Sequence, residues 1–470
     1  MKRFLPTLVA LLLLGGLGTW VYLRETAPKG ADSREHIWKA LPDDVEKFEI
    51  EDPAKRTKFL VAKRKDGSWW LASPEYEADA DVVDQLKRHL SDPEVERKLE
   101  PQKDLAPFGL KEPRFRATVF LKGGGKRTLL LGEKNPTGSS YFAMEEGGKD
   151  IYTVVSYSAD ALMKDTNTIR SKVLMVFEPA KVDRVTIRRP KADALEFRRD
   201  GDAWKMVKPV ATAADRYAVD GLLNDVKSLR GADIVEERAA FSKYRLDQPA
   251  AVITVFTGTG TGQSLTLSRP PGPGDLVCAT STRLPFVFRL GSTYVLANAL
   301  KPLADWREKL LLQMDREQLG QVKVWQGALE IDCQKGTDGK WKVVKPAQSG
   351  TIADDSGLGD VIFESVYLRA ERFVDDAPKG LKKYGLDRPR LRVLLVGAGK
   401  GNVPVSHEYL LGNRDGAVAM MKFRDAPAVY GVRADLLDKL ERFADRFRGP
   451  VAPAPASPPK PAKSAPGKKR

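Results

Sequence analysis

The chain has 470 residues, 42% of them hydrophobic and 30% charged. That balance excludes a disordered chain and leaves room for roughly two to four domains of ordinary size. Two cysteines exclude a disulfide scaffold and any multi-cysteine metal module; three scattered histidines (His36, His89, His407) leave little for a histidine-rich metal site.

The net charge is +15, and five of those charges sit in the last 21 residues. The remaining +10 is a mildly basic body. Such a balance suits nucleic acid, an anionic membrane surface, a polyanionic wall polymer, or simply a solvated surface.

The amino end decides between these. Lys2 and Arg3 precede an uncharged run of 20 residues, Phe4 to Leu23. That length spans ~30 Å of hydrocarbon at ~1.5 Å per residue. Leu5, Leu8, Leu11, Leu12, Leu13 and Leu14 supply its apolar surface, and Trp20 and Tyr22 suit the interface at its far end. The alternative is a cleaved signal peptide. Its small-x-small site, Gly16-Leu17-Gly18, would leave Trp20 to Tyr22 at a new terminus, a poor fit. The run therefore reads as an uncleaved signal anchor in the cytoplasmic membrane, amino terminus inside and residues 25–470 extracytoplasmic, or periplasmic. Nucleic acid is then not an expected partner.

Beyond a juxtamembrane linker (25–40), one pattern occurs three times. Trp69, Trp204 and Trp341 each follow a turn of Asp-Gly or Gly-Asp character, and each has Pro five residues later. Their spacings are 135 and 137 residues. A second marker, aromatic-x-Leu-x-x-Pro, begins at Phe108, Tyr244 and Tyr384, with spacings of 136 and 140. Two independent markers with one period define tandem repeats. The expected units are 41–178, 179–315 and 316–449, followed by the tail 450–470.

Within each unit the order of elements repeats. Alternating segments before the Trp predict a strand pair, as in FEI and KFLVAKR of the first unit. A helix follows, opening near Asp79, Asp215 or Asp355, a residue type that caps a first turn. Its apolar stripe is Val82, Val83, Leu86 and Leu90 in the first unit, and Val219, Leu222, Leu223, Val226 and Leu229 in the second. Strands RATVFL, AVITVF and LRVLLV come next, each followed by a glycine-rich turn, further strands and a closing helix. The predicted fold class is α+β: three tandem repeats of a mostly antiparallel sheet-plus-helix unit after a single transmembrane helix.

The turns KGGGK (122–126), TGTGTG (257–262) and GAGKG (397–401) lack phosphate-loop spacing, and strands follow them, so they read as hairpin turns. The pairs Asp79/Asp84, Asp215/Asp220 and Asp355/Asp360 read as helix starts rather than acid–base pairs. Trp69, Trp204 and Trp341, with Leu110, Leu246 and Leu386, read as core anchors of the repeats; a sugar-stacking platform is the alternative for the Trp residues. Cys278 and Cys333 fall in predicted strands as buried thiols, or as a disulfide between units. No catalytic residue, metal ligand or cofactor site is expected, and the chain does not read as an enzyme. The tail carries seven prolines with Lys460, Lys463, Lys468, Lys469 and Arg470. It reads as extended, polyproline-like chain, inert or in contact with anionic lipid or wall polymer.

An amino-terminal anchor, Gly-x-Trp-x4-Pro, and YGLxxP leading into a strand together resemble the bacterial family called domain of unknown function 4340. The resemblance covers residues 41–449, with YGLDRP (384–389) and FGLKEP (108–113) matching best. The middle unit departs from it: Arg245 replaces a Gly, and Ser268 stands where Gly132 and Gly412 stand. If those glycines serve a positive φ, the middle unit is altered there. The resemblance implies a membrane-anchored accessory part of a transport system similar to the gliding-motility ABC transporter, with its ATPase, permease and auxiliary subunit as partners. It implies no catalytic residues. The expected function is a noncatalytic extracytoplasmic accessory or scaffold; the alternative is a binding module for an anionic envelope polymer or lipid surface.

Overall fold

The structure, a computed structural model, describes residues 35–448 except 74, 237–240, 259, 271, 273–275, 285, 347–356 and 399–402. The expected anchor, the tail and Asp355 lie outside the described residues. Among the described residues no helix is long and apolar enough to cross a membrane. The chain divides into two compact units. One holds the described residues up to Val173 together with Arg230–Val235; the other holds Leu174–Leu229 and the described residues from Glu236 onward.

The first sheet grows from a hairpin. Val45–Asp52 pairs antiparallel with Thr57–Lys63, and on its other side with Phe115–Leu121. Outward from Thr57–Lys63 come Trp69–Ala72 and the edge strand Glu75–Glu77. In the other direction come Lys126–Lys134, Ser140–Glu145 and Ile151–Val155. Val95–Leu99 follows the helix Ala80–Ser91, yet it pairs with Ile151–Val155 at the far edge.

The same strand order recurs. In the second sheet it runs Thr212–Ala214, Ala203–Lys208, Ala192–Asp200, Arg184–Arg189, Ala251–Phe256, Gln263–Leu267, Cys278–Ser281, Val287–Leu290. In the third it runs Trp341–Lys345, Leu329–Lys335, Leu319–Gln326, Leu391–Ala398, Pro404–Asp415, Val418–Phe423, Val429–Arg433, Arg372–Asp375. The fold is thus α+β and mostly antiparallel, with one topology in three copies. The glycine-rich segments join antiparallel neighbours, as hairpin turns do.

Each sheet buries both faces. On Lys126–Lys134, Leu129 and Leu131 enter the main core with Phe48, Ile50, Trp69 and Leu86. Leu130, between them, points to the opposite face, as the period of 2 requires. There it meets Leu110, Met144 and Ile151, with Phe108 edge-on to Phe142 at 4.9 Å. The third repeat builds the same second core from Tyr384, Leu386, Met420 and Val429. The aromatic-x-Leu-x-x-Pro turn is therefore the lid of the second face.

That lid sits on bare backbone. A Cβ on Gly132 would lie 2.0 Å from the Phe108 carbonyl oxygen, and one on Gly412 would lie 2.2 Å from that of Tyr384. Neither glycine has a positive φ. The expected φ constraint is corrected: these positions are glycine for lack of space. In the middle repeat Ser268 occupies this place, 2% exposed, and its Oγ accepts from the Cys278 amide at 2.9 Å.

The segment leading into each repeat is part of it. His36 bridges to Glu94, and Trp38, 6% exposed, donates to the Leu90 carbonyl at 2.8 Å. Residues 35–40 thus belong to the first unit, which corrects the expected linker boundary. Leu310–Gln313 pairs with Tyr367–Arg369 in the same manner. Just upstream, Arg307 is buried, forms a two-bonded pair with Asp376 (2.6 and 3.1 Å), and lies over the Phe373 ring. Arg170 holds the matching place in the first unit, buried and stacked on Tyr76 at 3.8 Å.

Two glycine substitutions separate space from propensity. Gly412→Ala should lower stability by ~1–3 kcal/mol, because the lid must lift. Gly221→Ala, in the helix Arg216–Ser228 with nothing within 4 Å of the new Cβ, should raise it by ~0.5–1 kcal/mol. Denaturant midpoints of the two variants check the signs.

Candidate interaction surface

The helix after the Trp strand and the closing helix pack together in each repeat, and one position pins them. It lies five residues before the bridging residues Glu94, Arg230 and Arg369. In the first repeat His89 meets the Ser158 hydroxyl at 3.0 Å. In the second, Asp225 accepts from the Asn298 amide. In the third, Glu364 accepts from Arg433 and, at 2.6 Å, from Lys439. Burial alone would raise the Glu364 carboxyl, but the hydrogen bonds from Lys439 and Arg433 outweigh it and hold it below its ordinary value. At His89 burial outweighs the pull of the nearby Glu94 carboxylate and lowers the pKa.

On the third repeat this helix pair carries an open groove of mixed lining, in which Glu364, Arg369, Glu371 and Arg433 stand among aromatic and aliphatic side chains. Phe363 and Tyr367 are 54% and 53% exposed, with ring centroids 6.0 Å apart. They rim a cleft of about 240 Å³ whose floor includes Leu368, Val432 and Leu436. The equivalent positions are Arg88 and Asp92 in the first repeat and Asn224 and Ser228 in the second. The aromatic pair belongs to the third repeat alone.

The residues singled out in the sequence fall into structural roles. Trp69 and Trp204 are buried. Trp204 donates to Asp220 at 2.8 Å, and the Arg199 guanidinium lies over its ring. Trp341 is a correction: it packs against its core only partly buried, on the outermost described strand of its sheet. Leu110, Leu246 and Leu386 are buried, with Leu110 and Leu386 in the second-face clusters rather than the main cores. Asp79 caps its helix through the Asp81 and Val82 amides, and Asp215 through that of Ala218. Asp84 pairs with Lys87. The described third helix, Leu358–Val366, has Gly357 before it in the left-handed region.

Cys278 and Cys333 are free thiols on strands. Burial, helped by neighbouring Asp332, pushes the Cys333 thiol up to about 12, which makes it inert. His36 lies 2.6 Å from Asp92. His407 is half-buried, and burial lowers its pKa. Among the described residues no group of three or more His, Cys, Asp or Glu side chains could hold a metal. Leu5 to Tyr22 of the anchor and Lys460 to Arg470 of the tail lie outside the described residues. Trp38, Trp306 and Tyr409 are large core residues that the period did not single out, because they lie off the repeated markers.

The sequence pattern of one family, described as Domain of unknown function (DUF4340), matches three segments: 69–205, 204–358 and 349–450. The chain belongs to this family. Each of the first two matches runs on into the next repeat, whereas each of the three large sheets takes its strands from one repeat. No curated protein matches the chain.

The Glu364 pin gives a pH signature. A carboxyl held below its unfolded value adds stability above the ordinary carboxylate range, and that stability is lost as pH falls through the folded value. Glu364→Gln should therefore be less stable than the parent at pH 7, with the gap closing as pH falls below the ordinary carboxylate range. Denaturant midpoints along that series check it; a gap constant with pH would refute the ionic role.

Proposed function

We propose that this DUF4340 protein is a noncatalytic, membrane-anchored accessory or scaffold protein. Residues 1–24 form its single-pass anchor, with the amino terminus inside and the repeats extracytoplasmic. Its partner is an ABC-type permease and ATPase with an auxiliary membrane subunit. The observation that carries this reading is where the reactive side chains are spent. His89 is engaged in a helix pin, Cys278 and Cys333 lie in strands, Asp79 and Asp215 cap helices, and Trp69 and Trp204 lie in cores of a unit built three times. The exposed aromatic groove of the third repeat supports a protein-contact role. A second reading, binding to an anionic envelope polymer or lipid surface, is supported by the net charge of +15.

Affinity purification from gently solubilised membranes tests the proposal. Full-length protein should bring down a permease and its ATPase. A variant lacking residues 1–24, exported by a cleavable signal, should lose them if the contact is made in the membrane. A Phe363→Ser, Tyr367→Ser double variant should lose them if the contact is made at the groove. Recovery of no transporter part, with salt-sensitive retention on wall or lipid material, would overturn the first reading in favour of the second.

A further inference from the structure

The middle repeat carries a feature its two neighbours lack. Arg245 holds a left-handed backbone, φ +57°, where the other repeats use Gly109 (+64°) and Gly385 (+66°). A bulky side chain is disfavoured in that region, and strained residues gather where they have work to do. In the outer repeats the space beside this glycine is taken. A Cβ on Gly109 would lie 2.8 Å from Glu133 Cγ, and one on Gly385 would lie 2.2 Å from Asn413 Oδ1. The middle repeat has Arg269 at the Glu133 and Asn413 position. Two neighbouring positions that read Gly/Glu and Gly/Asn in the outer repeats thus read Arg/Arg here.

Both arginines line a cleft of about 620 Å³, together with Lys191, Ser242, Asp247 and Gln248. Three cations against one carboxylate leave the cleft lining with a formal charge of +2. The outer repeats fill this position differently: Glu133 pairs with Arg114 at 3.7 Å, and the neutral Asn413 donates to the Lys383 carbonyl. Two guanidinium groups on one cleft, with Asp247 as the one carboxylate among its described lining residues, are a poor arrangement for stability and a good one for an oxyanion. Ser242 and Gln248 add neutral donors.

We propose that this cleft is a binding site for a phosphate group, monoester or diester, held by Arg245 and Arg269 with Lys191. The proposal does not depend on the transporter reading. The outer repeats supply the test variants, since each carries a residue the fold accepts at the same position. Calorimetric titration of the full chain in nonionic detergent, at low salt, would use inorganic phosphate and short-chain dihexanoyl phosphatidylglycerol as probes. Arg245→Gly and Arg269→Asn should each weaken binding about tenfold or more, with a melting temperature no lower than the parent's. Variant-sensitive binding of inorganic phosphate supports the site for a free or terminal phosphate. Variant-sensitive binding of the lipid alone supports it for a headgroup diester. No binding of either probe, or binding that both variants leave unchanged, overturns the proposal. If one variant melts early, the other decides.

Discussion

Everything in this fold depends on a sheet that buries both of its faces. A strand such as Lys126–Lys134, with five consecutive buried residues, cannot leave one side in water. Antiparallel sheets often do leave one side solvated, and then alternate apolar with polar residues. Here the first face takes the helix pair and the second takes the aromatic-x-Leu-x-x-Pro turn. That turn is small, so it must come very close. Its carbonyl rests where a Cβ of Gly132 or Gly412 would be, and the second core closes only because that Cβ is missing. The strand order, the repeated turn and, in the outer repeats, the glycine are three expressions of one packing requirement.

Repetition makes the chain its own control. A feature present in all three copies belongs to the fold: the strand order, the pinned helix pair, the buried leucine of the lid. A feature confined to one copy is free of that duty. The aromatic pair Phe363 and Tyr367 is of this kind, standing where the other repeats have charged or polar residues. So are Arg245 and Arg269, which replace a glycine and a neutral or acidic neighbour. Divergence within a shared frame is thus more informative about role than any single-residue motif along the chain. The pins show the same logic inside the fold, since a histidine–hydroxyl, a carboxylate–amide and a carboxylate–cation contact do one job in three chemistries.

Much of the architecture was legible in the residues. The period, the strands flanking each Trp, the helix caps at Asp79 and Asp215 and the hairpin nature of the glycine-rich turns are local properties of short segments. Other expectations failed for non-local reasons. Trp341 sits on the outermost described strand of its sheet, so its ring is only partly covered. Residues 35–40 carry no marker of the repeat, yet Trp38 fills the core because the lead-in segment pairs with residues beyond the first helix. The second face was hidden because its lid is a turn of a few residues with no periodic signature.

Composition and pattern by themselves determined the class of fold, its threefold repetition and the positions of turns and caps. These follow from the period of side chains along a strand or helix and from a few residues that tolerate special backbone. Only the tertiary structure decided that the strand after the first helix crosses to the far edge. Only it decided that Gly132 and Gly412 answer to space rather than to φ, and that Arg245 comes to lie beside Arg269. Alternation says which face a residue occupies, but not which strand pairs with it or what covers it. Those choices are settled by contacts between residues far apart in the chain, and the cleft of the middle repeat exists at that level alone.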